Sequence, residues 1–116
     1  MNALVPKKEV AVIGDEPFVT GFRLAGVKKW YIIDITANEE TLRNKLRDIF
    51  SRIYEDYKVG VVIVHDSLKN IVEKIRKTVT YPVIIYIPSL STAGKINIKE
   101  YYSSILRAYL GISVEV

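Results

Sequence analysis

The chain has no cysteine among its 116 residues, one histidine (His65) and one methionine. Without thiols there are no disulfides, no thiolate nucleophile and no cysteine-held metal, and one histidine cannot assemble a zinc site. Such a composition suits a reducing interior. No apolar run approaches the ~18 residues that a membrane-spanning helix requires. The opening segment, Met1–Lys8, puts its charges after a short apolar stretch, the reverse of a secretory signal. The expectation is a cytoplasmic protein that meets a membrane only through a partner.

Phosphate-binding glycine patterns are missing too. Gly14, Gly21 and Gly26 fit neither G-x-G-x-x-G nor the P-loop. The formal charge is +4, but the basic residues run from Lys7 to Arg107 with acidic neighbours, as in Arg43-Asn44-Lys45-Leu46-Arg47-Asp48. A solvated face of mixed charge reads this way, whereas a nucleic-acid footprint concentrates basic residues and interleaves aromatics. No nucleic acid, cofactor or metal is expected.

What is present is a regular alternation. Short runs rich in Val and Ile fall at Glu9–Ile13, Trp30–Ile35, Val59–Val64 and Pro82–Ile87. They read as strands buried on both faces. Between them, apolar residues recur at helical spacing: Phe18, Phe22 and Ala25; Leu42, Leu46, Ile49, Ile53 and Tyr57; Leu68, Ile71, Val72, Ile75 and Val79. Asp15 or Glu16 with Pro17, Asn38 ahead of Thr41, and Asp66-Ser67 supply the start signals. Strand and helix in alternation give an α/β fold, a four-stranded parallel sheet of order 2-1-3-4 with flanking helices, like a small flavodoxin or receiver domain.

The division along the chain is an N-terminal extension at 1–8, an α/β body at 9–87, a linker at 88–98 and a C-terminal helix and tail at 99–116. Pro88 to Gly94 is rich in turn formers and has no period. The helix that follows carries Ile98, Tyr101, Tyr102, Ile105, Leu106, Tyr109 and Leu110, leaving Lys99, Ser103 and Arg107 as a narrow polar stripe. A helix of about twelve residues is marginal alone in water, while burying each large side chain is worth roughly 1.5 to 3 kcal/mol. So wide an apolar surface on so small a body points to a partner chain, and tyrosines favour interfaces where one end of the ring stays wet.

Chemistry has few candidates. Asp15, Glu16, Asp34 and Asp66 follow the first three strands, so the fold gathers them at one edge of the sheet. An alternative reading makes Asp66 a phosphoacceptor, with Asp15 and Glu16 holding magnesium and Ser89 supplying a hydroxyl. Against it, no later strand carries a lysine, and Lys95 lies in the linker. The simpler expectation is that these acids cap helices. His65 ends an apolar strand without an evident nucleophile beside it, and Ser51, Ser67, Ser89 and Ser91 lack a nucleophile-elbow context. No catalytic residue is assigned.

Several segments together resemble a known family. Gly14-Asp15-Glu16 after the first strand, followed by Thr20-Gly21-Phe22-Arg23-Leu24-Ala25-Gly26, is similar to the start of the F subunit of the archaeal A-type and related V-type ATP synthases. Val59-Gly60, Tyr81-Pro82-Val83, Ile87-Pro88-Ser89 and Leu110-Gly111-Ile112 continue the likeness. The resemblance implies a non-catalytic component of the central rotor stalk, bound to the long coiled-coil D subunit. It also implies that the segment Lys95–Val116 reaches toward the A/B catalytic head.

Overall fold

The computed structural model describes residues 8–77 and 81–88, and beyond them Ser104 alone. The linker after Pro88 and the C-terminal helix anticipated from the sequence therefore lie outside the described residues, as does the extension 1–7. Within the described chain, four strands alternate with helices: β1 (Glu9–Gly14), α1 (Glu16–Leu24), β2 (Lys29–Ile32), α2 (Glu39–Glu55), β3 (Val59–His65), α3 (Lys69–Ile75) and β4 (Val83–Ile87). A single 3-10 turn, Asp66–Leu68, leads into α3.

The strands form one sheet in the order β2-β1-β3-β4 with every pair parallel, as expected from alternation. One core lies on each face. Ala11, Ile13, Val62 and Val64 pack against Leu42, Leu46, Ile49, Phe50 and Ile53 of α2 and Ile71 and Val72 of α3. On the other face, Val10, Val12 and Ile63 pack against Phe18, Val19 and Phe22 of α1. The three-and-four spacing of the apolar residues on α2 places them on one side, which is the side it buries.

The first two helices begin as their sequences suggest. The Asp15 side chain accepts from the Phe18 N–H at 3.3 Å, and Asn38 accepts from the Thr41 N–H at 2.8 Å. These bonds satisfy donors that a helix N-terminus leaves without an internal partner. At the far end of α1, Gly26 adopts φ 113°, a left-handed conformation that stops the helix and that a side chain would resist.

Three expectations need correction. The second strand is Lys29–Ile32 rather than Trp30–Ile35, and as a sheet edge it is not buried on both faces: Trp30 and Ile32 are exposed. The second helix ends at Glu55, which leaves Tyr57 in solvent instead of on the helical apolar face. The third helical pattern begins as a 3-10 turn, with α3 starting only at Lys69. The cause is shared: hydrophobicity marks what can be buried, while position in the sheet and the caps decide what is.

Polar ties fasten the margins. Lys29 at the start of β2 pairs with Asp56 in the turn before β3 and lies 2.9 Å from Glu9 of β1. The bond with Asp56 first, and then Glu9, hold the lysine pKa above its usual value, and the same lysine holds the Asp56 carboxyl below its own. On β4, the Tyr86 hydroxyl donates to Glu73 of α3, and burial together with that carboxylate raises the phenol pKa.

Candidate functional site

Of the four acids at the C-terminal edge of the sheet, Asp15 caps a helix as expected, while Asp34 bonds Thr36 in a turn instead, because Asn38 caps α2 and the His65 side chain caps the turn that Asp66 opens. Asp15 caps α1. Asp34 accepts from both the Thr36 hydroxyl at 2.6 Å and the Thr36 N–H at 3.0 Å, and these two bonds depress its pKa. Glu16 is exposed in the first turn of α1, and Asp66 opens the 3-10 turn. Among the described residues no three of His, Asp and Glu come together in a way that could hold a metal ion. The geometry thus gives no support to a magnesium-assisted phosphoacceptor built on Asp66. Ser89 and Lys95, which that reading also requires, lie outside the described residues.

His65 is buried at the end of β3, its ring 5.0 Å from that of Phe18. Its Nδ1 accepts from the Ser67 N–H at 3.1 Å and lies 2.8 Å from the Ser67 hydroxyl. Sequence reading missed this pairing, although the two-residue spacing typical of a local side-chain cap was visible. The contact is a cap: the histidine holds the first turn after β3 in place.

The segment Gly14 to Gly26 forms a strand-to-helix unit whose residues have distinct tasks. A Cβ on Gly14 would lie 2.4 Å from the Phe18 ring, so the glycine lets the helix turn back tightly over the strand. Gly21 and Phe22 are buried in α1 and Thr20 is exposed. The Ala25 N–H bonds the Gly21 carbonyl at 3.2 Å, and Gly26 ends the element. Two members point elsewhere. Leu24 is 53% exposed, and the Arg23 guanidinium sits over the Trp30 ring, 4.1 Å from its centre.

Trp30 (39% exposed) and Ile32 (44%) are exposed on β2. They pair in register with Val12 and Gly14, so they rise from the α1 side of the sheet. The Arg23 guanidinium thus covers part of the edge strand on that side. Sequence reading missed this exposure because it places Trp30 and Ile32 in a strand buried on both faces.

Comparison with known proteins decides the family. The pattern of the family described as ATP synthase (F/14-kDa) subunit matches residues 10–105. The chain belongs to this family. The F subunit of the A-type ATP synthase of Methanothermobacter thermautotrophicus is 41% identical over 80 residues, covering 68% of this chain and 71% of that protein. Its counterpart from Thermococcus sibiricus is 34% identical over 108 residues, covering 92% and 98% respectively. That from Methanosarcina mazei is 40% identical over 88 residues, covering 74% and 79%. In this member of the family Gly14 and Asp15 shape the turn from β1 into α1, Gly26 ends the helix, and Arg23 lies over Trp30. The interface residues expected on the last helix, Ile98, Tyr101, Tyr102, Ile105, Leu106, Tyr109 and Leu110, lie outside the described residues.

Proposed function

We propose that the chain is a non-catalytic rotor component of the central stalk of an A-type or V-type ATP synthase, binding the coiled-coil D subunit and helping to couple ATP synthesis or hydrolysis to ion transport. The observation that carries this reading is the family match across residues 10–105, reinforced by an A-type ATP synthase F subunit that aligns over 98% of its own length. Asp15, engaged as a cap, and Asp34, bonded to Thr36, fit a body that transmits force rather than one that performs chemistry. ATP would be handled by other subunits, and the chain would reach the membrane only through the complex. No helix among the described residues is long and apolar enough to cross a bilayer.

A parallel sheet packed on both faces is stiff, which suits a component that passes torque through many contacts at once. The apolar side chains of the last helix, with Tyr102, Ile105 and Tyr109 at their centre, are the proposed anchor on the coiled coil. The segment Lys95–Val116 is also the proposed contact toward the A/B head. Co-expression with the D subunit tests the proposal. A stable one-to-one complex is expected, with an interface near or above ~800 Å² per partner. Failure of the wild-type chain to form any complex would overturn it.

A further inference from the structure

Strands β1, β3 and β4 are neighbours in the sheet, so the residues that lead into them line up along the edge opposite the acidic rim, with about 4.8 Å from each strand to the next. Tyr57 and Tyr81 stand there 79% and 59% exposed, more than any other large apolar or aromatic side chain among the described residues. With Lys8, Tyr54 and Pro82 they line a cavity of about 230 Å³. Tyr54 also borders a neighbouring cavity of about 460 Å³, beside Phe50, Glu55 and Ile75. We infer that this tyrosine groove holds the chain's own N-terminal segment, residues 1–7, laid over Tyr57 and Tyr81 as an intramolecular clip. The inference is independent of the proposed rotor role.

The point at which the segment joins the body decides where it can lie. Lys8 is itself part of the cavity wall: its Nζ donates to the Tyr57 carbonyl at 3.2 Å and lies 6.0 Å from the centre of the Tyr81 ring. Gly60 leaves room for that path across β3, since a Cβ there would fall 2.5 Å from the Lys8 Cβ. The seven preceding residues therefore start in the groove, and fully extended they span at most about 25 Å. A tether this short holds the segment at an effective concentration on the order of millimolar, far above that of a second copy or a free peptide in dilute solution.

The chemistry of the segment fits the groove. Met1, Leu4, Val5 and Pro6 offer apolar surface, and tyrosine rings accept it while their hydroxyls stay in water. Pro6 restricts the backbone and has no N–H to leave unpaired, which reduces the ordering cost of docking. Lys7 brings a cation toward Glu55, which lines the adjoining cavity and has no cationic partner among the described residues. The family pattern begins at residue 10, so the clip is an addition to the family's body rather than part of it.

The test uses the full chain with isotope-labelled leucine and valine methyl groups, whose contacts with tyrosine rings are read by nuclear Overhauser effects. The expected result is contact between the methyls of Leu4 or Val5 and the ring protons of Tyr57 or Tyr81. Trypsin cleavage after Lys7, which follows the population of the released segment, should run at least about fivefold faster in Leu4→Asp. Leu4 precedes the α/β body, so circular dichroism of that variant should match wild type. Tyr81→Ser alters the groove instead of the segment and should bring the same acceleration. Absence of the contacts, or cleavage at the wild-type rate in both variants, overturns the clip. Contacts that arise only between differently labelled molecules assign the groove to a second copy, and tyrosine shifts that arise only when the D subunit is added assign it to that partner; either result overturns the intramolecular arrangement.

Discussion

At the scale of single residues, the junction of β1 and α1 is the least forgiving place in the body. Phe18 is fully buried, with the rings of Phe22 at 5.1 Å and His65 at 5.0 Å around it, so it cannot yield to an intruding atom. Gly14→Ala would put a methyl group 2.4 Å from that ring. The substitution should cost about 1–3 kcal/mol through overpacking, read as a lower urea midpoint at unchanged slope. A wild-type midpoint would mean that Phe18 can move aside. The sequence marked Gly14 as the break between strand and helix, but not the reason glycine is required, since that depends on where a side chain four residues later comes to rest.

Lys29 offers a test by pH. Its folded pKa is raised and that of Asp56 is lowered, each mainly by their mutual bond. The aspartate's contribution is complete above its unfolded value of about 3.9 and disappears as pH falls through the lower folded value. The lysine's is complete below about 10.4 and disappears as pH rises through its higher folded value. Lys29→Met should therefore reduce stability by a nearly constant amount between about pH 5 and 9, with the difference from wild type shrinking toward pH 3. With both side chains about a third exposed, at 30% and 33%, the loss should be below about 1 kcal/mol and smaller in high salt. Denaturation curves at about pH 3 and 7 check this; an undiminished difference in acid would show that the lysine acts through packing.

At the scale of elements, the starts of α1 and α2 were readable because a cap is a local event, a short polar side chain two or three residues ahead of the donor it satisfies. Asn38→Ala should cost about 1 kcal/mol, measured by thermal unfolding, with loss of amide exchange protection concentrated in the first turn of α2. Equal loss throughout the helix would contradict a local cap. Strand β2 was harder to read. Its residues alternate between half-buried and exposed, yet its composition is that of a central strand. Edge or centre is a property of neighbours, and nothing in Lys29-Trp30-Tyr31-Ile32 says how many neighbours the strand will have. The exposure of Trp30 and Ile32 went unseen for the same reason.

At the scale of the whole molecule, the body and the last helix divide the work proposed for the chain. The body supplies stiffness, and the helix supplies the anchor. Ile105→Asp should abolish co-purification with the coiled-coil partner while the far-ultraviolet signature of the α/β body persists. Unchanged co-purification would remove that helix from the interface without touching the family assignment.

Residue order was enough to specify the α/β class, the parallel order of four strands, the starts of α1 and α2 and the family, because each follows from periodicity, short-range caps or motifs that are continuous along the chain. The folded arrangement alone revealed that Asp34 is bonded to the backbone and hydroxyl of Thr36, that His65 caps the turn after β3, and that Trp30 and Ile32 lie exposed on an edge strand with Arg23 over Trp30. Those facts depend on residues brought together from separate elements, on how a turn closes, or on which strand lies outermost, and side-chain contacts of that kind are fixed only when the sheet closes its order and its helices settle on their faces.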